Sequence, residues 1–451
     1  MGQPQETVSV RFARFVHRTG FAELPERVRH ESRRSLLNAL GCALGVARSL
    51  PVEQAIAVHR QFGGVPVATV IGRGERLDLL GASFVNAVSS NLLDYDDTHL
   101  GTVIHPTAPV MPPALALAEA HGFPGREVLT AFALGAEVEC RIGNGVSPGH
   151  YARGWHITST CGVFGAAAAS AKLLGLAPPQ IADALGIAAS QSAGLVENLP
   201  SAAKNVSVGN AARNGLFAAL MAQAGYEAAM AAIEGPLGWA RAMGDTPDTS
   251  AMLDSLGEVW ELARNTYKPY PSGIVFHAVT DACLALRRDH GLDPAAISGV
   301  TVFGDALLLA RGDRQVNNAR DARVSIHHTA AIAFLFGTAT VGDYETPTVM
   351  DPKVRAFLTK VRAQLAPELP RGAARVDVAL ADGRTLSATV LHPHGSTEHP
   401  LSDAEIEAKV RNCAATGSPD CDVGRVIQLV WALDEQADTK ALMEALMPAR
   451  P

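Results

Sequence analysis

Between Asn91 and Pro106 the chain reads NLLDYDDTHLGTVIHP. Three carboxylates (Asp94, Asp96, Asp97), two hydroxyls (Thr98, Thr102) and two imidazoles (His99, His105) sit between two apolar, helix-like segments. Burying such a set is costly unless its members pair with one another or with a ligand. Carboxylates beside imidazoles suit acid–base work. Asp94 and Thr98 are four apart and would share one face of a helix end. His105 stands just before Pro106, where the next helix should open, beside N–H groups that favour anions. The plainer alternative makes the aspartates ordinary helix-end and loop residues. No metal is expected: an Asp-rich cation loop needs alternating ligands around a glycine turn, and HExxH is absent.

Four further segments carry candidate groups. In RGWHITSTCGVFGAAAASAKLLG (153–175), His156 precedes Thr158, Ser159 and Thr160, good capping residues for an Ala-rich helix. It would close that helix or act as a general acid or base, with an ordinary pKa of about 6.5. In SAAKNVSVGNAARNG (201–215), Lys204 lies just before a helix and would neutralise a carboxylate or stay solvated. In NTYKPYPSGIVFHAVTDACLAL (265–286), Lys268 sits in a proline-stiffened turn and His277 opens a helix. In RVSIHHTAAIAFLFG (323–337), His327 and His328 enter an apolar helix. Neighbours on a helix point about 100° apart, so at most one faces a given cavity. A strand-to-helix GxGxxG, a GxxxxGK[ST] and a GxSxG are all missing. Chemistry without a cofactor, on a small acid, is the economical reading.

These groups need a scaffold. Segments 29–48, 78–93, 106–121, 124–142, 158–175, 178–193 and 207–224 are rich in Ala and Leu and broken by Gly or Pro, which predicts a helical domain over 1–270. Small residues on these helices allow close axes, as in a compact bundle. VATVIG at 67–72 predicts a minor hairpin. After 270 the pattern mixes: helix at 277–290, strand at 297–304, helix from about 325 to 337, helix at 354–365. A hairpin follows, ARVDVAL and RTLSATVLH joined at Ala381-Asp382-Gly383. Residues 271–400 therefore read as a smaller α+β domain, and 401–451 as helix completing the first.

The 451 residues exceed one core, and 47% hydrophobic against 18% charged argues against disorder. The net charge of −7 disfavours nucleic acid or an anionic membrane as partner, while leaving room for a local basic pocket and a small anionic substrate. Six scattered cysteines without a CxxC suggest no zinc or iron–sulfur site and fit a reducing cytoplasm. The start lacks a basic then apolar leader, and the weakly polar stretches near 161–171 and 329–342 are too short to span a bilayer.

Five ordered segments resemble the MmgE/PrpD family: DYDDTHLGTVIHP, GWHITSTCGVFGAAAASAKLLGL, the AAK…GNAARNG run, KPYPSGIVFHAVTDA and RVSIHHTAAIA. That family includes 2-methylcitrate dehydratases, cis-aconitate decarboxylases and iminodisuccinate epimerases. The resemblance covers nearly the whole chain. It implies a mainly α fold, with a large all-helical domain and a smaller α+β lid domain, an active site in the cleft between them, and a homodimer. The family's cleft residues match Asp94, Thr98, His105, His156, Lys204 and His277. Implied is proton transfer at carbon beside a carboxylate, with His156 and His105 as the acid–base pair. Asp94 would orient a histidine or bind a leaving hydroxyl, and Thr98 and Lys204 would hold carboxylate oxygens. Lys268, His277 and His328 complete the expected binding set.

Two departures stand out. Where dehydratase-like members commonly show Cys-Cys-Arg after KPYP, this chain has Ser272-Gly273-Ile274, and His328 replaces a frequent Tyr. Both weaken the case for a tricarboxylate such as 2-methylcitrate. The leading expectation is a cofactor-independent lyase of the dehydratase type acting on a small hydroxy-polycarboxylate. Epimerisation of a dicarboxylate comes second and decarboxylation third. A non-catalytic binding protein is the reading from a different class.

Overall fold

The computed structural model describes residues 6–449, which fall into two compact units. One contains residues up to 92, 96–265 and from 403 onward; the other contains 93–95 and 266–402. The first is helical and the second mixes a sheet with helices.

The helical unit is organised around Ile157–Leu173. Every residue of this helix from Ile157 to Ala171 is buried, as its lack of charge before Lys172 requires. Helices Gly125–Val146, Thr107–His121, Pro178–Ala189 and Ala203–Gln223 surround it. Glycine sets how closely they come. A Cβ on Gly215 would stand 2.6 Å from the Val163 carbonyl and 2.7 Å from the Ala167 nitrogen, so only hydrogen fits there. The segment Asp403–Gly417 packs on Glu26–Leu44, far from it in sequence. The expected hairpin is present in brief form, Ala68–Thr69 paired antiparallel with Arg76–Leu77.

In the second unit, a four-stranded sheet has the order Val361–Leu365, Ile297–Gly304, Ala374–Leu380, Thr385–Val390. The first pair is parallel, with Val300 opposite Val361, and the others are antiparallel. Val300, Val302, Val376 and Val378 point into a core shared with helices His277–His290 and Ile326–Phe336.

Two local expectations fail. Residues 354–365 are not one helix: Pro352–Leu358 is helical, and Val361–Leu365 is a strand. VRAQL has helix-forming residues, but its backbone groups find partners in Ile297–Gly304, and pairing overrides propensity. Asp94 and Thr98 do not share a helix face either. The helix Leu79–Leu92 has ended, Asp94 takes φ 54°, and Asp97–His99 is extended. Asp is among the few non-glycine residues that tolerate the left-handed region. The carbonyls of Leu93 and Asp94 go to the side chains of Arg323 and Lys268, not to a further helical turn. Among the described residues, no helix is long and apolar enough to cross a membrane.

Candidate active site

Polar groups gather in each unit. In the helical unit, His156 is the N-cap residue of Ile157–Leu173. Its Nδ1 lies 2.9 Å from Ser159 Oγ and 3.5 Å from Ser207 Oγ. Both hydroxyls already donate to carbonyls, Ser159 to His156 and Ser207 to Lys204. Their oxygens can therefore only accept from the ring, which puts the proton on Nδ1 and the lone pair on Nε2.

His105 reaches the same state by another route. Its Nδ1 is 2.7 Å from the Asp97 carbonyl oxygen, which cannot donate, so Nδ1 carries the proton. Thr98 Oγ1 lies 3.2 Å from that nitrogen and Asp96 Oδ1 3.8 Å from it. The His105 amide donates to Thr158 Oγ1, two residues past His156. Asp96 accepts from Asn91, Asn91 from Asn205, and Asn205 follows Lys204 in the first turn of Ala203–Gln223. Thr98 and His105 thus sit with Asp96, Asn91 and Asn205 in one polar network, and His156 reaches the Lys204 carbonyl through Ser207. His156 is 3% exposed and Lys204 6%.

Several supports were not visible in the sequence. Thr107 and Asn265 both donate to Asp97 Oδ2. Burial, with Asp96 nearby, pushes the Asp97 carboxyl up to about 6 despite these bonds. His99 has both ring nitrogens engaged, Nδ1 with Thr102 and Nε2 with Glu261 at 2.9 Å. Burial would raise the Glu261 carboxyl, but His99 and Arg264 outweigh it and hold it near about 2. His99 is thus a strut of the segment carrying Thr98 and His105. The Ser159 support was foreshadowed only by its spacing, a hydroxyl three residues after an N-cap.

Gly194 makes the His156 support feasible. Its carbonyl accepts the His156 amide, its φ is 143°, and a Cβ there would lie 2.1 Å from Ser159 Oγ. Gly194→Ala is expected to displace Ser159, free the His156 ring, and cut turnover roughly tenfold to a hundredfold. Steady-state rates beside a thermal melt check this; full turnover in a folded variant would show that Ser159 does not orient His156.

In the second unit, Lys268 Nζ holds both the Asp94 carbonyl and its Oδ1, each at 3.0 Å. Lys268 is 3% exposed, while the Asp94 side chain keeps 27%. Tyr95 donates to the Pro269 carbonyl, fastening residues 93–95 to the KPYP turn. His277 starts its helix as expected, with Nε2 3.4 Å from the Ser272 carbonyl. Although Arg does not follow KPYP, a guanidinium still reaches the turn: Arg323 donates to the Pro271 carbonyl at 3.0 Å. The two adjacent histidines diverge. His327 meets Asp313, and buried His328 donates from Nε2 to the Asp343 carbonyl. Burial holds His328 down at about 4, so at neutral pH it is an uncharged ring with an acceptor at Nδ1.

Fold and polar groups define a class: a two-unit, α-rich protein that buries imidazole, lysine and carboxylate groups. Residues 10–252 match the MmgE/PrpD N-terminal domain, and residues 270–435 match the MmgE/PrpD C-terminal domain. The chain belongs to the MmgE/PrpD family. It is 27% identical to the cis-aconitate decarboxylase of Mus musculus, over 98% of this chain and 93% of that one. Identity to the Homo sapiens cis-aconitate decarboxylase is also 27%, over 99% and 96%. For the enzyme of that name from Aspergillus terreus it is 26%, over 94% and 92%.

Proposed function

We propose that the chain is a cofactor-independent lyase that transfers a proton at carbon beside a carboxylate of a small polycarboxylate. One observation carries this reading. The imidazoles of His156, buried, and His105, partly buried, are each tied at Nδ1, and each is assigned Nε2 as its proton-transfer atom. Lys204 and Thr98 supply a cation and a hydroxyl for carboxylate oxygens.

Loss of CO2 from an unsaturated acid is favoured over the dehydration suggested by the sequence, because near full-length relatives are named cis-aconitate decarboxylases. In that reaction the C–C bond to the leaving carboxylate breaks. Its electron pair moves into the conjugated system, and an imidazolium delivers a proton to carbon. Dehydration needs the same groups run differently, one imidazole removing the carbon-bound proton and an acid assisting the departing hydroxyl.

The test is proton NMR in D2O with cis-aconitate, citrate, 2-methylcitrate, malate, tartrate and iminodisuccinate, each separately. Deuterium appearing at carbon beside a carboxylate, with CO2 release from cis-aconitate, is the expected result. Exchange with citrate and water loss without CO2 would move the reading to dehydration. Silence with all six would overturn carbon-acid chemistry on these substrates.

A further inference from the structure

Arg323 is a largely buried cation in the second unit, and its guanidinium makes three hydrogen bonds. It donates to the carbonyls of Leu93 at 3.3 Å and Pro271 at 3.0 Å, and to Glu345 Oε1 at 2.8 Å. Its Cζ stands 5.6 Å from the centre of the Tyr344 ring. Tyr344 and Glu345, adjacent in sequence, thus hold the guanidinium by its face and by its end. A cation over an aromatic face gains most where water is excluded, and Tyr344 is fully buried.

What Arg323 holds is the turn at 270–273. The Ser272 amide bonds to the Tyr270 carbonyl, and the Gly273 amide bonds to the carbonyl of Arg323 itself. Arg323 therefore grips the turn twice, by main chain at Gly273 and by side chain at Pro271. The carbonyl between these two grips, that of Ser272, faces His277 Nε2 at 3.4 Å. A carbonyl only accepts, so it selects the Nε2–H tautomer and leaves the lone pair on Nδ1. The edge of Tyr270 limits the ring from another side, with centroids 5.6 Å apart and planes at 85°. Tyr270 is itself fixed by its bond to Asp281.

We propose that Tyr344, through the guanidinium of Arg323 stacked on it, is a positioning residue for His277. The aromatic face keeps the planar fork aimed at Pro271, the fork fixes the turn, and the turn presents the Ser272 carbonyl that sets the His277 tautomer. The ring is the working part. The Tyr344 hydroxyl lies near those of Ser272 and Thr329 but pairs well with neither. Removing a poorly paired buried hydroxyl should cost little or nothing. The inference rests on the proposed reading only in treating His277 as a site residue.

The experiment is 15N NMR of histidine-labelled full-length protein, with His277 assigned by its loss in His277→Gln, in wild type, Tyr344→Phe, Tyr344→Leu and Arg323→Lys. Wild type and Tyr344→Phe should show the same Nε2–H tautomer at His277. Tyr344→Leu and Arg323→Lys should show mixed tautomers, with kcat down about tenfold and KM within about threefold. Should Tyr344→Leu fail to fold, Arg323→Lys decides, since it keeps the charge and loses only the planar fork. An unchanged His277 signal in the folded variants overturns the proposal, whatever the rates do. Equal disturbance in Tyr344→Phe also overturns it, because the hydroxyl would then be the active part. Altered tautomers together with full turnover by His277→Gln would leave the clamp standing and reject the part given to His277 in catalysis.

Discussion

Replacing His105 or His156 by asparagine is expected to lower kcat/KM roughly 10²–10⁴-fold, as much as replacing either by alanine. The asparagine variants separate chemistry from architecture. An Asn Nδ2 stands close to where the histidine Nδ1 stood, so it can still donate to the Asp97 carbonyl or to the Ser159 and Ser207 hydroxyls. What it lacks is Nε2. Alanine removes both, and leaves an acceptor in each buried network unmatched, at about 1–3 kcal/mol. The alanine variants should therefore melt earlier than the asparagine variants while being no less active. Thermal melts and initial rates on all four measure this. A rate near wild type in either asparagine variant would show that Nε2 of that histidine moves no proton. Deuterium exchange assigns the roles further: the variant that abolishes exchange at carbon has lost the group that exchanges the carbon-bound proton.

Local signals in the sequence carried the elements well where neighbours in sequence decide them. The helix His277–His290 has an apolar stripe and ends at Gly291, whose φ of 56° only glycine adopts freely. The hairpin at 374–390 follows from alternation and a glycine turn. Where distant residues decide, local signals misled. Val361–Leu365 takes its state from a strand some 60 residues earlier, and Asp94 takes its backbone from Lys268 and Arg323. The same holds for the candidate site. His105 and His156 stood out by type and position, but their tautomers depend on Asp97, Ser159 and Ser207, which no spacing rule connects to both. Tyr344 and Glu139 carry no motif. Their environments arise only once the chain has folded.

Glu139 should make stability fall as pH rises above the ordinary carboxylate range, and Glu139→Gln should remove that fall. The residue lies mid-helix in Gly125–Val146, fully buried, facing Gly162 and Gly165 of the His156 helix. Neither carboxylate oxygen has a hydrogen-bond partner. Burial first, and the nearby Asp97 second, raise its pKa well above the usual carboxylate range. The sign follows from linkage. A carboxyl whose folded pKa is raised contributes its full stability below the unfolded value, about 4.5, and loses it as pH rises through the folded value. In that window each pH unit removes about 1.4 kcal/mol from the wild type and nothing at this position from the glutamine variant. Glu137, held near about 7 by burial against the pull of Arg141, titrates in both proteins and cancels in the comparison. So do His150 and His328, lowered to about 4 chiefly by burial, whose stability is lost on the acid side, as pH falls from about 6.5 toward 4. Melting curves from pH 5 to 9 should show the variant gaining on the wild type as pH rises. At pH 5 the gain should vanish, because a buried amide without partners is no better than a protonated acid. Parallel curves would mean that Glu139 finds a counter-charge or water when ionised. The conservative amide matters here: it keeps the shape between the two glycines, so a difference that grows with pH reports the proton and not the packing.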